Sequence, residues 1–138
     1  MRYLIDTNIF LFYASDREQL DKEILQILED YENQIYISSE SVKEVIHLFQ
    51  QGRIQTKKWK SAQNVIKFIE DEIGFVIDYT QREHLQTLAC LEPVKNHNDP
   101  NDRLIIAQAI AEKIPLISSD RKFELYRKQQ LHFIFNRR

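Results

Sequence analysis

Five short apolar runs recur along the chain, and each pair is separated by segments whose apolar residues fall mostly at helical spacing. The runs are "YLID" (3–6), "IYIS" (35–38), "FVIDY" (75–79), "PLIS" (115–118) and "LHFIF" (131–135). Between the first two lie a short apolar helix, "TNIFLFYAS", and an amphipathic helix over 17–32 with Leu20, Ile24, Ile27, Leu28 and Tyr31 on one stripe. "SVKEVIHLF" (41–49) repeats helical spacing through Val42, Val45, Ile46 and Phe49, with "SVKE" reading as a capping box from Ser41. A helix over 57–72 follows, striped by Trp59, Ala62, Ile66, Ile69 and Ile73, and "TQRE" (80–83) opens another with capping-box chemistry. Helices over 101–113 and 121–129 flank the fourth run. Strands joined through helices require crossover connections, and those give a parallel sheet covered on both faces. The expected fold is therefore α/β: a three-layer α/β/α sandwich on a five-stranded parallel sheet of order 3-2-1-4-5.

At 138 residues the chain is expected to be a single domain over 1–138, with enough length to bury a core. Glycine and proline number only 2 and 3, which argues against long disordered tracts. The sole cysteine, Cys90 in "LACL", excludes an internal disulfide and is expected in the core. The apolar N-terminal stretch is broken by Asp6 and Asn8, too soon for a signal core or a membrane span, so a cytoplasmic location with no membrane partner is expected. Formal charge runs from −6 over residues 1–50 through 0 over 51–100 to +4 over 101–138. An acidic half beside a basic half suits a polyanion held against a negative pocket.

Ligands of such sheets lie beyond the carboxyl ends of the strands, where strand order reverses. Asp6 ends the first strand and Asp120 follows the fourth, in "LISSD". Glu40 and Glu44 stand in the first turns after the second strand. Asp99 and Asp102 bracket Pro100 at the mouth of the helix that feeds the fourth strand. Asp99 fits an N-cap, Pro100 the first helical position and Asp102 the third, where a negative charge meets the helix dipole. Two carboxylates about 4 Å apart repel by roughly 4 kcal/mol at an effective dielectric of about 20, so a cluster of them holds protons or a cation. Oxygen donors without a His or Cys cluster point to Mg²⁺ or Mn²⁺. The histidines, His47, His84, His97 and His132, are scattered, and each reads as surface or packing. A divalent ion held by carboxylates suits metal-assisted phosphodiester hydrolysis.

In this order, "LIDTN", "SSESVKEVIHLFQQGRI" and "DPNDRLIIAQAIAEKIPLISSDRKF" resemble the PIN-domain nucleases, and among them the VapC-like toxins of bacterial toxin–antitoxin pairs. The likeness covers essentially the whole chain. It implies a metal-dependent endoribonuclease acting on single-stranded RNA, with an acidic quartet of Asp6, Glu44, Asp102 and Asp120 binding Mg²⁺ or Mn²⁺. It also implies supporting roles for Thr7, Asn8 and Ser118, a small antitoxin partner and a homodimer. Asp99 is read as a helix cap that could also act on the site through a water. Asn101 stands where the family often carries an aromatic residue.

Candidate phosphate contacts are Arg53, Lys57, Lys58, Lys60, Arg103, Arg121 and Lys122. Trp59 resembles a stacking platform among lysines, but its helical register favours the core. Two rival readings use the same architecture: a catalytically silent RNA- or partner-binding module, and a receiver-type signalling domain with Asp78 as phosphoacceptor. The second lacks the paired acids after the first strand and a lysine after the last.

Overall fold

The computed structural model describes residues 1–137. Five strands, β1 (Arg2–Ile5), β2 (Gln34–Ser38), β3 (Val76–Asp78), β4 (Leu116–Ser118) and β5 (Phe133–Phe135), form one sheet in the order β3-β2-β1-β4-β5. Every pairing is parallel, with Ile5 opposite both Ile37 and Ile117. The expected strand order is the observed one. Alternation along each strand divides the interior into two cores. Ile5, Ile35, Ile37 and Ile117 pack into one apolar cluster, whereas their neighbours Leu4 and Leu116 belong to the other. Burial of both faces is why these strands read as continuous apolar runs.

Among the described residues six α-helices cover the sheet: α1 (Thr7–Ser15), α2 (Lys22–Glu29), α3 (Ser39–Gln50), α4 (Gln63–Lys67), α5 (Arg82–Cys90) and α6 (Pro100–Glu112). The first core takes residues from α1 to α4, and the second takes residues from α6 and the 3₁₀ segment Arg121–Gln129. Six consecutive residues of α6, Leu104 to Ala109, are buried, because this helix has neighbours on nearly every side.

Several expected boundaries moved, each for a local reason. The helix expected over 17–32 is a 3₁₀ turn at Arg17–Gln19 followed by α2. Asp21 Oδ1 accepts the amides of Glu23 at 3.0 Å and Ile24 at 3.5 Å, so a new helix starts there, and Tyr31 lies beyond its end, 95% exposed. The helix expected over 57–72 begins only at Gln63. Asn64 Oδ1 takes the amides of Lys60 and Ser61 at 2.9 and 3.1 Å, which competes with helical pairing before that point. The chain then widens into a π-helical turn, Phe68–Glu72, where Ile73 N–H reaches Phe68 O at 3.0 Å. Val65, Phe68 and Ile69 are buried as a result, and Ile66 faces out.

Caps moved as well. Ser38, not Ser41, caps α3 by accepting Glu40 N–H. Gln81, not Thr80, opens α5, with His84 Nδ1 accepting the Gln81 amide at 2.9 Å. The segment over 121–129 is 3₁₀ throughout rather than α. Cys90, expected inside, is exposed at the end of α5. Among the described residues no helix is long and apolar enough to cross a membrane.

Candidate active site

Asp6 follows β1 directly and caps α1, its Oδ1 accepting Ile9 N–H at 2.9 Å. Only 7% of the residue is exposed. Its other oxygen accepts the hydroxyl of Ser118, at the end of the neighbouring strand β4. Ser118 Oγ in turn accepts the Asp120 amide at 3.0 Å, and Asp120 Oδ1 accepts Lys122 N–H at 2.9 Å. Ser118 is fully buried, so one hydroxyl links the backbone of one acid to the carboxylate of another. Chain connections leave β1 and β4 toward opposite sides of the sheet, which opens the crevice between them.

The remaining acids arrive on helices. Asp99 caps α6, accepting the amides of Asn101 at 2.9 Å and Asp102 at 3.1 Å, with Pro100 in the first turn. This fixes the backbone of Asp102 while its carboxylate stays half-buried and free of that cap. Glu44 lies on α3, and Thr7 Oγ1 donates to Ser41 Oγ at 3.0 Å, tying α1 to the first turn of α3. Asn8 is exposed on the first turn of α1. Glu40 turns instead to Lys43, at 2.9 Å.

Mutual repulsion shows how close these groups stand. Burial pushes the Asp6 carboxyl up to about 6; the Ser118 and Ile9 hydrogen bonds pull it down, and the charges of Asp120 and Glu44 push it up. Burial likewise pushes Asp102 up to about 7, reinforced by the charges of Asp99, Asp6, Asp120 and Glu44. The structure thus brings Asp6, Glu44, Asp99, Asp102 and Asp120 into one electrostatic neighbourhood. Carboxylates that resist ionising together are relieved by protons or by a cation, and an oxygen-rich cup on a rigid frame fits a hard divalent ion.

Sequence reasoning missed His97. It is buried at 5% exposure, with Nε2 3.5 Å from Asp102 Oδ2. One ring nitrogen and single oxygens of Asp102 and Asp120 lie within 4.8 Å of one another. Burial holds the His97 ring below its ordinary pKa. A second group of ligand-type side chains, Asp78, His84 and Glu112, gathers between β3, α5 and α6. There His84 Nδ1 already accepts a backbone N–H, so the proton sits on Nε2, 2.8 Å from Glu112 Oε2, and offers a metal no lone pair. Burial and Glu112 push Asp78 up to about 7. Asp78 lies on an edge strand in this buried cluster, an unsuitable setting for a phosphoacceptor.

The basic residues diverge. Arg103 donates to Leu91 O, Glu92 O and the Tyr126 hydroxyl, and Lys58 Nζ donates to Ala14 O, so both serve the fold. Trp59 is 3% exposed and stacks on Phe10 with a centroid distance of 6.1 Å, a core residue as expected, although it lies before α4 and not in the helical register that suggested it. Arg53, Lys57, Lys60, Arg121 and Lys122 are exposed. Arg121, directly after Asp120, lines a groove of about 900 Å³ between α2 and β5, with Arg127, Phe133 and Phe135 also in its wall.

Residues 3–129 match the model of the PIN domain. The chain belongs to the PIN domain family. Similar solved structures include VapBC2 from Rickettsia felis bound to a DNA fragment from their promoter, at 22% identity and TM-score 0.71, covering 99% of each chain. DNA-bound VapBC from Salmonella typhimurium is similar at 16% identity and TM-score 0.70, covering 98% of each chain. A toxin–antitoxin complex from Klebsiella pneumoniae matches at 22% identity and TM-score 0.62, over 87% of this chain and 88% of that one. No curated protein sequence matches.

Proposed function

We propose that this PIN-domain protein is a divalent-metal-dependent endoribonuclease that hydrolyses phosphodiester bonds of single-stranded RNA, and that it acts as the toxin of a toxin–antitoxin pair. The observation that carries the reading is the convergence of Asp6, Glu44, Asp102 and Asp120 at the carboxyl edge of the sheet, where the charges of Glu44 and Asp120 raise the proton affinity of Asp6 and Asp102. Asp6, Asp102 and Asp120, with Glu44, would hold Mg²⁺ or Mn²⁺. When bound, such an ion lowers the pKa of water and offsets charge on a reacting phosphate.

The chain's own residues do the rest. Ser118 and the Ile9 amide hold Asp6 by both oxygens, and Asp99 anchors the turn that carries Asp102. Both devices hold the acids on strand ends and helix starts rather than on loose loops. Glu44 would orient a water or complete the set of oxygen donors for the cation. Exposed Arg53, Lys57 and Arg121 contact backbone phosphates without reading sequence. Single strands, whose bases splay freely, suit an open acidic crevice better than duplex does. The partner of this reading is a small antitoxin that covers the acidic cup, and the working assembly is a homodimer in the cytoplasm; complexes of toxin with antitoxin among the similar folds support the first.

The test is incubation of the purified chain with a panel of single-stranded RNAs, with and without Mn²⁺, beside Asp6→Asn. Mn²⁺-dependent cleavage that the substitution abolishes is the expected result. Cleavage that persists in chelator, or in clean Asp6→Asn protein, overturns the assignment.

A further inference from the structure

One buried group at the edge of the acidic cup is not used by the proposed chemistry. His97, in the loop before α6, packs edge-on against Phe123 and Tyr126, with centroid distances of 5.6 and 5.2 Å. Its Nδ1 lies 2.7 Å from the Tyr126 hydroxyl, and the same hydroxyl oxygen accepts Arg103 Nη1 at 3.3 Å. A tyrosine hydroxyl can donate while it accepts from Arg103, and the acceptor-only carboxylate of Asp102 facing Nε2 selects the tautomer in which Tyr126 sends its hydrogen to His97 Nδ1. With Nδ1 accepting, the proton of the neutral ring sits on Nε2. That nitrogen is buried, has no aligned hydrogen-bond partner among the described residues, and points toward Asp102 Oδ2 at 3.5 Å. Contacts of this kind are often long in a resting protein and tighten in the working complex.

We propose that His97 is a positioning residue of the metal site: its Nε2–H, locked by Tyr126 and Arg103, restrains one oxygen of Asp102 and leaves the other for the cation. This rests on the metal-dependent reading above and extends it. A ring whose second nitrogen carries hydrogen is not itself a ligand, so the site stays all-oxygen and favours Mg²⁺ or Mn²⁺ over Zn²⁺. The lock spans 29 residues from His97 to Tyr126, joining the helix that carries Asp102 to the segment that follows Asp120.

Mn²⁺ binding to the full chain, counted by electron paramagnetic resonance of the free ion, tests the idea without any substrate. His97→Leu is expected to bind Mn²⁺ about 10- to 100-fold more weakly, the usual cost of removing a group that orients a ligand. His97→Gln, which restores an N–H, recovers most of the affinity. Tyr126→Phe weakens binding while keeping the ring packing, and it decides the matter if His97→Leu fails to fold. Wild-type affinity in folded His97→Leu overturns the proposal, as does nitrogen hyperfine coupling to bound Mn²⁺, which would make His97 a ligand. If the wild-type chain itself binds no Mn²⁺ and Asp120→Asn behaves identically, the metal-dependent reading fails and takes this inference with it.

Discussion

Replacing Asp6 by asparagine is expected to stabilise the metal-free protein at neutral pH while it destroys the site. Folding raises the Asp6 carboxyl from 3.8 to about 6, chiefly through burial. The folded state therefore keeps a proton that the unfolded chain has already released, and stability falls as pH climbs through that window. By pH 8 the accumulated cost is roughly 3 kcal/mol. Asparagine removes it, but it offers one acceptor where Asp6 uses two, for Ile9 N–H and the Ser118 hydroxyl. Losing or reversing one hydrogen bond returns about 1 kcal/mol. The net gain is about 2 kcal/mol, or roughly 4–8 °C in melting midpoint for a domain of this size. Near pH 4 the folded carboxyl is protonated and the unfolded one only about half ionised, so the cost shrinks to about 0.5 kcal/mol, less than the hydrogen-bond loss, and the order reverses. Urea and thermal unfolding in chelator at pH 8 and pH 4 measure both ends. An Asp6→Asn protein less stable than wild type at pH 8 would refute the claim that this carboxylate is held against its own desolvation.

Mn²⁺ at about 100 times its dissociation constant should stabilise wild type by about 2.7 kcal/mol, and Asp120→Asn should lose most of that shift in the same melting assay. Trp59→Ala should cost about 3–5 kcal/mol in urea unfolding, because the indole stacks on Phe10 and meets Phe49 and Phe68 edge-on inside the first core. Asp99→Ala should cost about 1 kcal/mol through loss of the α6 cap and should also weaken Mn²⁺ binding, since the same cap fixes Asp102; calorimetric titration separates the two effects. Asp78 is raised to about 7 by burial and by Glu112, so its contribution to stability declines between pH 4 and pH 7. Asp78→Asn should flatten the stability curve across that interval, and an unchanged slope would show that folding does not raise the Asp78 carboxyl.

The sequence alone determined the layered α/β architecture, the parallel strand order, and the gathering of Asp6, Asp102 and Asp120 at one sheet edge. Those features follow from hydrophobic period and from caps that act over three or four residues: Asp99, Pro100 and Asp102 declare a helix start by themselves. Where a side chain bonded to nearby backbone more strongly than the apolar stripe suggested, as at Asp21 and Asn64, the expected helix was too long. Only the tertiary structure decided the roles of the histidines. His97 meets Tyr126 across 29 positions, and His84 meets Glu112 across a helix pair; no local pattern encodes either contact. Arg103 and Lys58 likewise read as phosphate contacts until the fold supplied carbonyls for them. Periodicity tells which face of an element turns inward, but the proton affinity of a carboxylate depends on water removed and charges brought near, and folding alone sets both.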